Sequence, residues 1–344
     1  MKSILEQTGQ WDLAEHRPLG QRTSVVTFSG LLKQLEYFAR KEFRRFVPAL
    51  HPPHSPAYLE RLEGWLANDL SDGQRRVLFE FALRLAFFSH DDFQQLYRAA
   101  YAGSVTRWVI DREALKLDTP GFQQRLETER HDHTWFCPIT DSMGINDFYH
   151  ANAIGGTVHR PAFKPLVTFG DHARIRNHMS EYRRNNQLCP LKRLVLLEDF
   201  VGSGRQTRPV VKWAVEKLEA EVLFAPLIIC PRGAAVMREL AAEFSPRLRF
   251  DPVLELKSSD MLGPERHGGD DLLVAAVEAL AADSYAKVAA ENARDHNLPP
   301  NGPFGWEQTG AAVVLFSNTP NNTLPLVHHQ SATWKPLFPR VIRN

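Results

Sequence analysis

The chain has 344 residues, of which 43% are apolar and 24% charged, and this composition is typical of a soluble globular protein with an ample core. Its 41 basic and 40 acidic residues nearly cancel, which excludes a strong overall attraction to nucleic acid or to a membrane surface. The sequence shows neither a signal-peptide pattern nor an apolar run long enough to cross a bilayer. We therefore expect a cytoplasmic protein without a membrane partner.

Residues 1–128 are predicted to form an N-terminal all-helical domain. Apolar residues recur there at the three- and four-residue spacing of amphipathic helices. Ser71 and Gln74 form a capping-box pattern, which predicts that a helix begins between them. The predicted helical segments are 32–46, 59–70, 71–88 and 91–102.

A basic cluster lies near the end of the first of these helices and comprises Arg40, Lys41, Arg44 and Arg45. It is either a solvated helix face or a nucleic-acid patch. Glu36 and Glu42 lie among the cations in the sequence, which favours the solvated face. We therefore do not expect nucleic acid as a direct ligand; the competing hypothesis predicts DNA binding that falls steeply with salt.

From about residue 130 the pattern changes to alternating strands and helices, which predicts a mostly parallel sheet flanked by helices over residues 129–344. Pro226 interrupts one apolar run and suggests that its strand lies at an edge or contains a bulge. In parallel sheets, ligands bind outside the carboxyl ends of the strands, where the polar loops of this sequence fall. The predicted strands are 135–139, 194–197, 222–229, 248–256 and 311–316, and the predicted helices are 207–218, 232–244 and 270–296.

The most informative loop follows the apolar run 194–197. Two adjacent carboxylates, Glu198 and Asp199, end this run, and a turn of small residues at 202–204 leads into a predicted helix. Turn N–H groups and a helix start bind phosphate, and carboxylates accept hydrogen bonds from vicinal hydroxyls. Adjacent buried carboxylates also destabilise a fold unless something binds them. The pattern therefore predicts a sugar-phosphate site, and the alternative is an ordinary turn and helix cap.

A second polar loop, Thr140-Asp141-Ser142, follows the predicted strand 135–139. Its residue types have two interpretations. Asp and Ser are preferred helix N-caps, and the competing interpretation, a pyrophosphate and metal loop, is implied by the family resemblance described below.

A third polar segment, 317–323, follows the last predicted strand. It contains three asparagines, and their amides can match a nucleobase edge as well as stabilise a turn. Both interpretations remain open, and the candidate ligand contacts are Asn318, Thr319, Asn321, Asn322 and Thr323.

These motifs resemble known families. The string LLEDFVGSGRQ at 196–206 resembles the PRPP-binding motif of type I phosphoribosyltransferases. Together with FCPITDSM at 136–143, FSNTPNNTLPL at 316–326 and the tail WKPLFPR at 334–340, it resembles the conflict-associated group called PRTase-CE. The resemblance covers about residues 130–344 and implies a type I phosphoribosyltransferase-like fold, PRPP as co-substrate and Mg²⁺ as cofactor.

The resemblance also implies a role for each matching residue. Glu198 and Asp199 are the candidate catalytic residues, which would hold the ribose hydroxyls and favour positive charge at C1. The residues that would wrap the 5-phosphate are Gly202, Ser203, Gly204, Arg205 and Gln206. Those that would bind pyrophosphate are Thr140, Asp141 and Ser142, with Asp141 and Asp199 as metal ligands.

Two departures bear on the activity that the resemblance implies. Gly202 replaces an aspartate that handles a proton on the base in purine-salvage enzymes, and Gln206 replaces a threonine. Ordinary purine salvage is therefore not expected. The leading hypothesis is transfer of a ribose phosphate to an unknown acceptor, in a bacterial conflict or anti-phage system whose partner is a reverse transcriptase or an NTPase. The alternative is a non-catalytic regulatory subunit that senses PRPP or a nucleotide.

Overall fold

The computed structural model describes residues 3–14, 27–46, 57–155, 163–164, 172–185, 191–268, 271–289 and 302–341. The helices within these ranges are α1 Ile4–Ala14, α2 Phe28–Lys41, α3 Tyr58–Leu66, α4 Asp72–Phe81, α5 His90–Arg98, α6 Thr106–Arg112, α7 Phe122–His131, α8 Ile145–Ala151, α9 His172–Asn185, α10 Thr207–Lys217, α11 Pro231–Glu243, α12 Leu272–Val288 and α13 Pro325–His328. The strands are β1 Ala86–Phe88, β2 Thr134–Pro138, β3 Arg193–Val201, β4 Glu221–Ile229, β5 Leu248–Phe250, β6 Leu254–Glu255 and β7 Val313–Leu315. The predicted mixed α/β fold, with parallel sheets and an N-terminal helical region, is confirmed.

The chain forms two compact units. The first combines Met1–His90 with Ser259–Asn344, and the second is Asp91–Ser258. The sequence placed a boundary at residue 128, whereas the compact units divide the chain near residue 90 and again near residue 258. Within the described residues, no helix combines the length and apolar character needed to cross a membrane.

The first unit is mostly helical, and the predicted capping box at the start of α4 is confirmed. The Ser71 hydroxyl accepts a hydrogen bond from the Gln74 backbone N–H, and the Gln74 side chain accepts one from the Ser71 N–H. The prediction that this helix continues to residue 88 is wrong, because α4 ends at Phe81 and β1 follows. β1 pairs in parallel with β7, so the N-terminal region is not all-helical and β7 lies outside the main sheet.

The two chain segments of the first unit share one hydrophobic core. The indole N–H groups of Trp65 and Trp334 both donate to the backbone oxygen of Leu326, over 2.7 and 2.9 Å. Asn68 pairs with the backbone of Lys335 through its amide nitrogen and oxygen. Burial lowers the pKa of His328 to about 3, so this side chain is neutral where it contacts the oxygen of Thr323. The N-terminal and C-terminal segments of the first unit therefore pack against each other in a single core.

The second unit is built on a parallel sheet with the order β2-β3-β4-β5, in which β6 also pairs with β4. β3 and β4 are nearly continuous apolar runs because helices cover both faces of such a sheet. Apolar residues of α10 and α11 join this core, among them Val211 and Met237. The free thiols of Cys137 and Cys230 are buried as small apolar groups.

The sequence suggested an edge strand or a bulge at Pro226, and the edge position is wrong because β4 lies between β3 on one side and β5 with β6 on the other. The backbone oxygen of Pro226 accepts a hydrogen bond from Val253, so the side of the strand that lacks an N–H faces the β5–β6 side. This side is interrupted between β5 and β6. The N–H that proline lacks would therefore point to a position that neither β5 nor β6 occupies, and the hydrogen bonds between β3 and β4 are kept.

A buried ion cluster lies at the start of β3. The Arg193 guanidinium, with a side chain only 2% exposed, pairs with Glu113 and, over 2.9 Å, with Glu129. Lys192 also pairs with Glu129 over 2.9 Å but is largely exposed. This cluster ties α7 and the segment after α6 to the end of β3 opposite the acidic pair.

Candidate functional site

The two candidate carboxylates lie within β3 rather than after it. The sequence predicted that the strand ends at Leu197, but β3 continues through Glu198 and Asp199 to Val201. Both side chains are nearly buried, with exposures of 5% for Glu198 and 7% for Asp199. The strand therefore fixes the backbone of the acidic pair at the carboxyl end of the sheet.

Both carboxylates hold the loop that follows β2. The ladder between the strands extends past their last paired residues, because Ile139 N–H donates to Leu197 O. Thr140 then donates its backbone N–H and its hydroxyl to the two Glu198 oxygens, over 2.9 and 2.6 Å. The Ser142 hydroxyl donates to Asp199 Oδ1 over 3.0 Å. The structure thus brings the first two predicted loops together.

The alternative interpretation of this loop as a helix N-cap is wrong. α8 begins at Ile145 with Gly144 as its N-cap residue, and no side chain caps it. Thr140 and Ser142 are engaged with the acidic pair instead, and Asp141 is exposed. The loop therefore belongs to the polar cluster at the strand ends.

Burial and the neighbouring Asp199 raise the pKa of Glu198 to about 8, although hydrogen bonds from Thr140 and the charge of Lys164 oppose this rise. The carboxyl group of Glu198 is therefore largely protonated near neutral pH in the ligand-free protein. This pKa follows from two carboxylates placed together where little water reaches them. A cationic or hydroxyl-donating ligand would relieve the repulsion.

The turn at 202–206 forms a strand-to-helix junction. β3 ends at Val201 and α10 begins at Thr207, and among the described residues no side chain caps this helix start. Gly204 has a φ of +80°, a conformation that favours glycine. The Arg205 N–H lies 3.5 Å from the Ser203 hydroxyl oxygen. Backbone amides and the positive end of α10 therefore meet beside the acidic pair, as phosphate binding requires.

A second glycine supports this turn from α11. A methyl group at Gly233 would overlap the backbone oxygen of Gly202 and approach Val201 Cγ1 to 3.2 Å. Cys230, just before α11, donates its N–H to Val201 O over 2.8 Å. The position of the turn is thus set by close backbone packing that only glycine permits.

Replacing Gly233 with alanine is expected to displace the turn. The added methyl group has no room, so the fold should lose about 1–3 kcal/mol of stability and phosphate binding should weaken at least about tenfold. Chemical denaturation and calorimetric titration of PRPP would measure the two effects. Gly103→Ala is the control, because a methyl group there meets no atom within 4 Å. Unchanged binding in Gly233→Ala would contradict the close packing.

Sequence analysis missed two residues at this site. The Lys164 ammonium donates to the Gln206 side chain over 3.1 Å, and the Lys164 N–H donates to Ile139 O, so a cation lies between the two loops. Tyr97 is buried with its phenol oxygen near Gly144. Burial and the charges of Asp147 and Asp199 raise its pKa, so it remains a neutral donor. Neither residue belongs to a local motif, and only the fold brings them here.

The segment at 318–323 belongs to the first unit, where its side chains make internal hydrogen bonds. Asn318 and Thr319 bond to the backbone of Val341 and Phe338. The Asn322 amide donates to Thr309, and the Thr323 hydroxyl donates to Val313 O. These hydrogen bonds within the turn and to the backbone give the four residues a structural role. Their role in binding an acceptor stays a prediction, as does that of Asn321.

The oxygen donors of this site suit Mg²⁺. Asp199 lies within the cluster, and Asp141 extends from the same loop as Ser142. Within the described residues, no group of three His, Cys, Asp or Glu side chains lies close enough to bind a metal ion. An ion held by Asp141 and Asp199 would therefore need ligand oxygens to complete its coordination.

A parallel sheet with an acidic pair at a strand end and an amide-rich turn at a helix start defines a phosphoribosyltransferase-like α/β protein. Comparison with known families identifies the particular one. Residues 62–340 match the family PRTase-CE, and the chain belongs to this family. The match begins well before residue 130, where the resemblance of the motifs began. No curated protein and no solved structure matches the chain.

Proposed function

We propose that the second unit binds PRPP and that the protein transfers its ribose phosphate to an acceptor. The observation that carries the proposal is the contact of both β3 carboxylates with the loop at 140–142, beside the amide turn at 202–204. In this proposal the carboxylates bind the pentose, the turn binds the 5-phosphate and the loop at 140–142 binds the pyrophosphate, so the three binding groups are adjacent. The family assignment supports the same chemistry.

Each group has a distinct part in the proposed reaction. Glu198 and Asp199 accept hydrogen bonds from the ribose hydroxyls and stabilise positive charge at C1. The turn N–H groups, with Ser203 and Arg205, hold the 5-phosphate. The C1–O bond to pyrophosphate breaks with its electron pair going to pyrophosphate, and a lone pair of the acceptor forms the new bond to C1. Lys164 stabilises the charge of the departing group.

The proposed cofactor is Mg²⁺, which would bind at Asp141 and Asp199 together with oxygens of PRPP. It neutralises pyrophosphate charge when bound. The protein's own contribution is mainly position, because the sheet, the turn and the two loops hold both ends of the ligand at fixed separation.

The affinity for PRPP is expected to rise between pH 6.5 and about pH 8.5. The ribose hydroxyls favour the charged form of Glu198, whose pKa of about 8 means that binding near neutral pH releases a proton. Because the pKa of Glu198 is higher in the folded protein than its ordinary value of 4.5, the free energy of unfolding of the ligand-free protein is expected to fall as pH rises from about 4.5 towards 8. Calorimetry in buffers of different ionisation heat would measure the released proton.

Glu198→Gln provides the control for this pH dependence, because it removes the titrating group and leaves the ionisation of the ligand phosphate. The variant should lose the rise above pH 7. An identical pH profile in the wild type and the variant would show that the proton released on binding comes from a group other than Glu198.

Titration with PRPP and Mg²⁺, followed by an assay of pyrophosphate release with candidate acceptors, tests the proposed function. Binding with acceptor-dependent release supports transfer. Binding without release under any acceptor supports the alternative of a PRPP or nucleotide sensor, with which the absence of a carboxylate at Gly202 is compatible. Absence of binding would contradict both functions.

We also propose that the protein acts in a bacterial conflict or anti-phage defence system with a reverse transcriptase or an NTPase as partner, as members of such families do. Loss of phage protection on deletion of the gene, restored by the wild type but not by the binding-site variants, would test this role.

A further inference from the structure

The solvent face of α2 carries the basic cluster, exposed as the sequence indicated. The helix packs into the first unit through one side, where Phe28, Leu32 and Leu35 are buried. At 3.6 residues per turn, the opposite side carries Lys33, Tyr37 and Arg40. These residues are exposed and lie within about 60° of one another around the helix axis.

This face is continued by further cations. Lys41 ends α2 on the same side, and Arg44 is exposed in the short helical turn Phe43–Arg45 that follows. We call the set Lys33, Tyr37, Arg40, Lys41 and Arg44 the basic face. Glu36 and Glu42 are half-buried. Glu36 lies three residues after Lys33 and four before Arg40, so it borders the basic face without forming an ion pair with either cation.

Among the residues that the structure describes, the cations of the basic face have no ion-pair partner. Within the described part of the chain, no carboxylate lies within ion-pair distance of Lys33, Arg40, Lys41 or Arg44, and no other polar interaction engages them. Among the described residues, these four exposed positive charges outnumber the carboxylates that border them, although the whole chain has a formal charge of only +1. Such a local field attracts a polyanion.

Two exposed aromatic rings lie beside these cations, which is unusual for a charged helix face that only contacts solvent. Tyr37 is 53% exposed and Phe38 is 38% exposed, and their ring centroids lie 5.8 Å apart at 71°. The two rings are in edge-to-face contact, and about half of the Tyr37 surface remains exposed. Exposed aromatic rings beside cations are the elements that bind single-stranded nucleic acid without sequence preference.

We propose that the basic face binds single-stranded nucleic acid, with Lys33, Arg40, Lys41 and Arg44 on phosphates and Tyr37 stacked on a base. An anionic membrane fits less well, because the apolar side of α2 is committed to the core and only the two rings could insert. This surface shares no residue with the proposed PRPP site, and the proposed binding of nucleic acid does not depend on transfer of ribose phosphate.

Fluorescence anisotropy of the full chain with a labelled oligothymidine of about 20 nucleotides tests the proposal. Because each single-strand phosphate contact contributes about −0.7 to the slope of log K against log salt, four contacts predict a slope of about −3. Arg40→Ala/Arg44→Ala should reduce the slope by about 1.4. Tyr37→Ala should weaken binding about fivefold or more, whereas Tyr37→Phe retains the ring.

Lys116→Ala/Lys217→Ala is the matched control, since both lysines are exposed and the charge change is equal. It should leave the slope unchanged. If the first arginine variant fails to fold, Lys33→Ala/Lys41→Ala makes the same test. Absent binding, a slope equal in the wild type and the basic-face variants, unchanged affinity in Tyr37→Ala, or preferential binding to vesicles containing phosphatidylserine would each overturn the proposal.

Discussion

Glu198→Ala/Asp199→Ala is expected to weaken PRPP binding at least about 100-fold while the fold remains intact. Each carboxylate offers charged hydrogen bonds to ribose hydroxyls worth about 1.5–3 kcal/mol, so losing both removes about 3–6 kcal/mol. The fold should survive, because removing a buried acidic pair, whose ionisation is opposed by burial and by mutual repulsion, offsets the lost contacts to Thr140 and Ser142. Isothermal titration would measure the affinity, and thermal unfolding would report the fold.

Two further variants locate the cause of the loss. Glu198→Gln/Asp199→Asn keeps the shape and an acceptor oxygen at each position, so an intermediate loss is expected from the missing charge alone. Glu216→Gln/Glu219→Gln neutralises two exposed carboxylates of the same unit and should leave binding unchanged. Wild-type affinity in the double alanine variant, with the protein folded, would show that the pentose site is elsewhere.

Arg193→Met should destabilise the second unit by about 3–5 kcal/mol. The buried guanidinium offsets the charges of Glu113 and Glu129, and its removal leaves these half-buried carboxylates with the exposed Lys192 as their remaining cation. Urea denaturation followed by circular dichroism would measure the change in the free energy of unfolding.

Lys192→Met is the matched control, because this neighbouring cation is largely exposed and its pairs should contribute no more than about 1 kcal/mol. The triple variant Glu113→Gln/Glu129→Gln/Arg193→Met should recover most of the lost stability, since the only charge left unpaired is that of the largely exposed Lys192. An unrecovered triple variant would indicate that the packing of the Arg193 stem, rather than its charge, stabilises β3.

The sequence predicts best what local pattern determines. The apolar run 194–197, the acidic pair and the small-residue turn correctly predicted a strand, a turn and a helix start, because all three depend on neighbouring residues. The capping box at Ser71 is equally local. The end of β3 was missed because Glu198 and Asp199 are polar, although their backbone remains in the strand and their side chains are held by the loop at 140–142.

Contacts between distant segments could not be predicted. Lys164 carries no motif, and its position between the two loops depends on the path of the chain around β2. In the sequence Gly233 is only a poor helix former, and its close contact with Gly202 depends on the packing of α11 against the turn. β1 was assigned to a helix because its partner β7 lies more than 220 residues later in the chain. Similarly, the charges at 36–45 looked balanced in sequence, and only the side-chain positions in the folded helix show that Arg40, Lys41 and Arg44 form no ion pair among the described residues.

The shared core of the first unit has a consequence for biosynthesis. Trp65 leaves the ribosome long before Leu326, which accepts its indole hydrogen bond and lies 261 positions later. The second unit, contiguous from 91 to 258, is fully synthesised in that interval. We therefore expect it to fold cotranslationally, while the exposed apolar surfaces of α3 and α4 await the C-terminal segment and are candidates for chaperone binding.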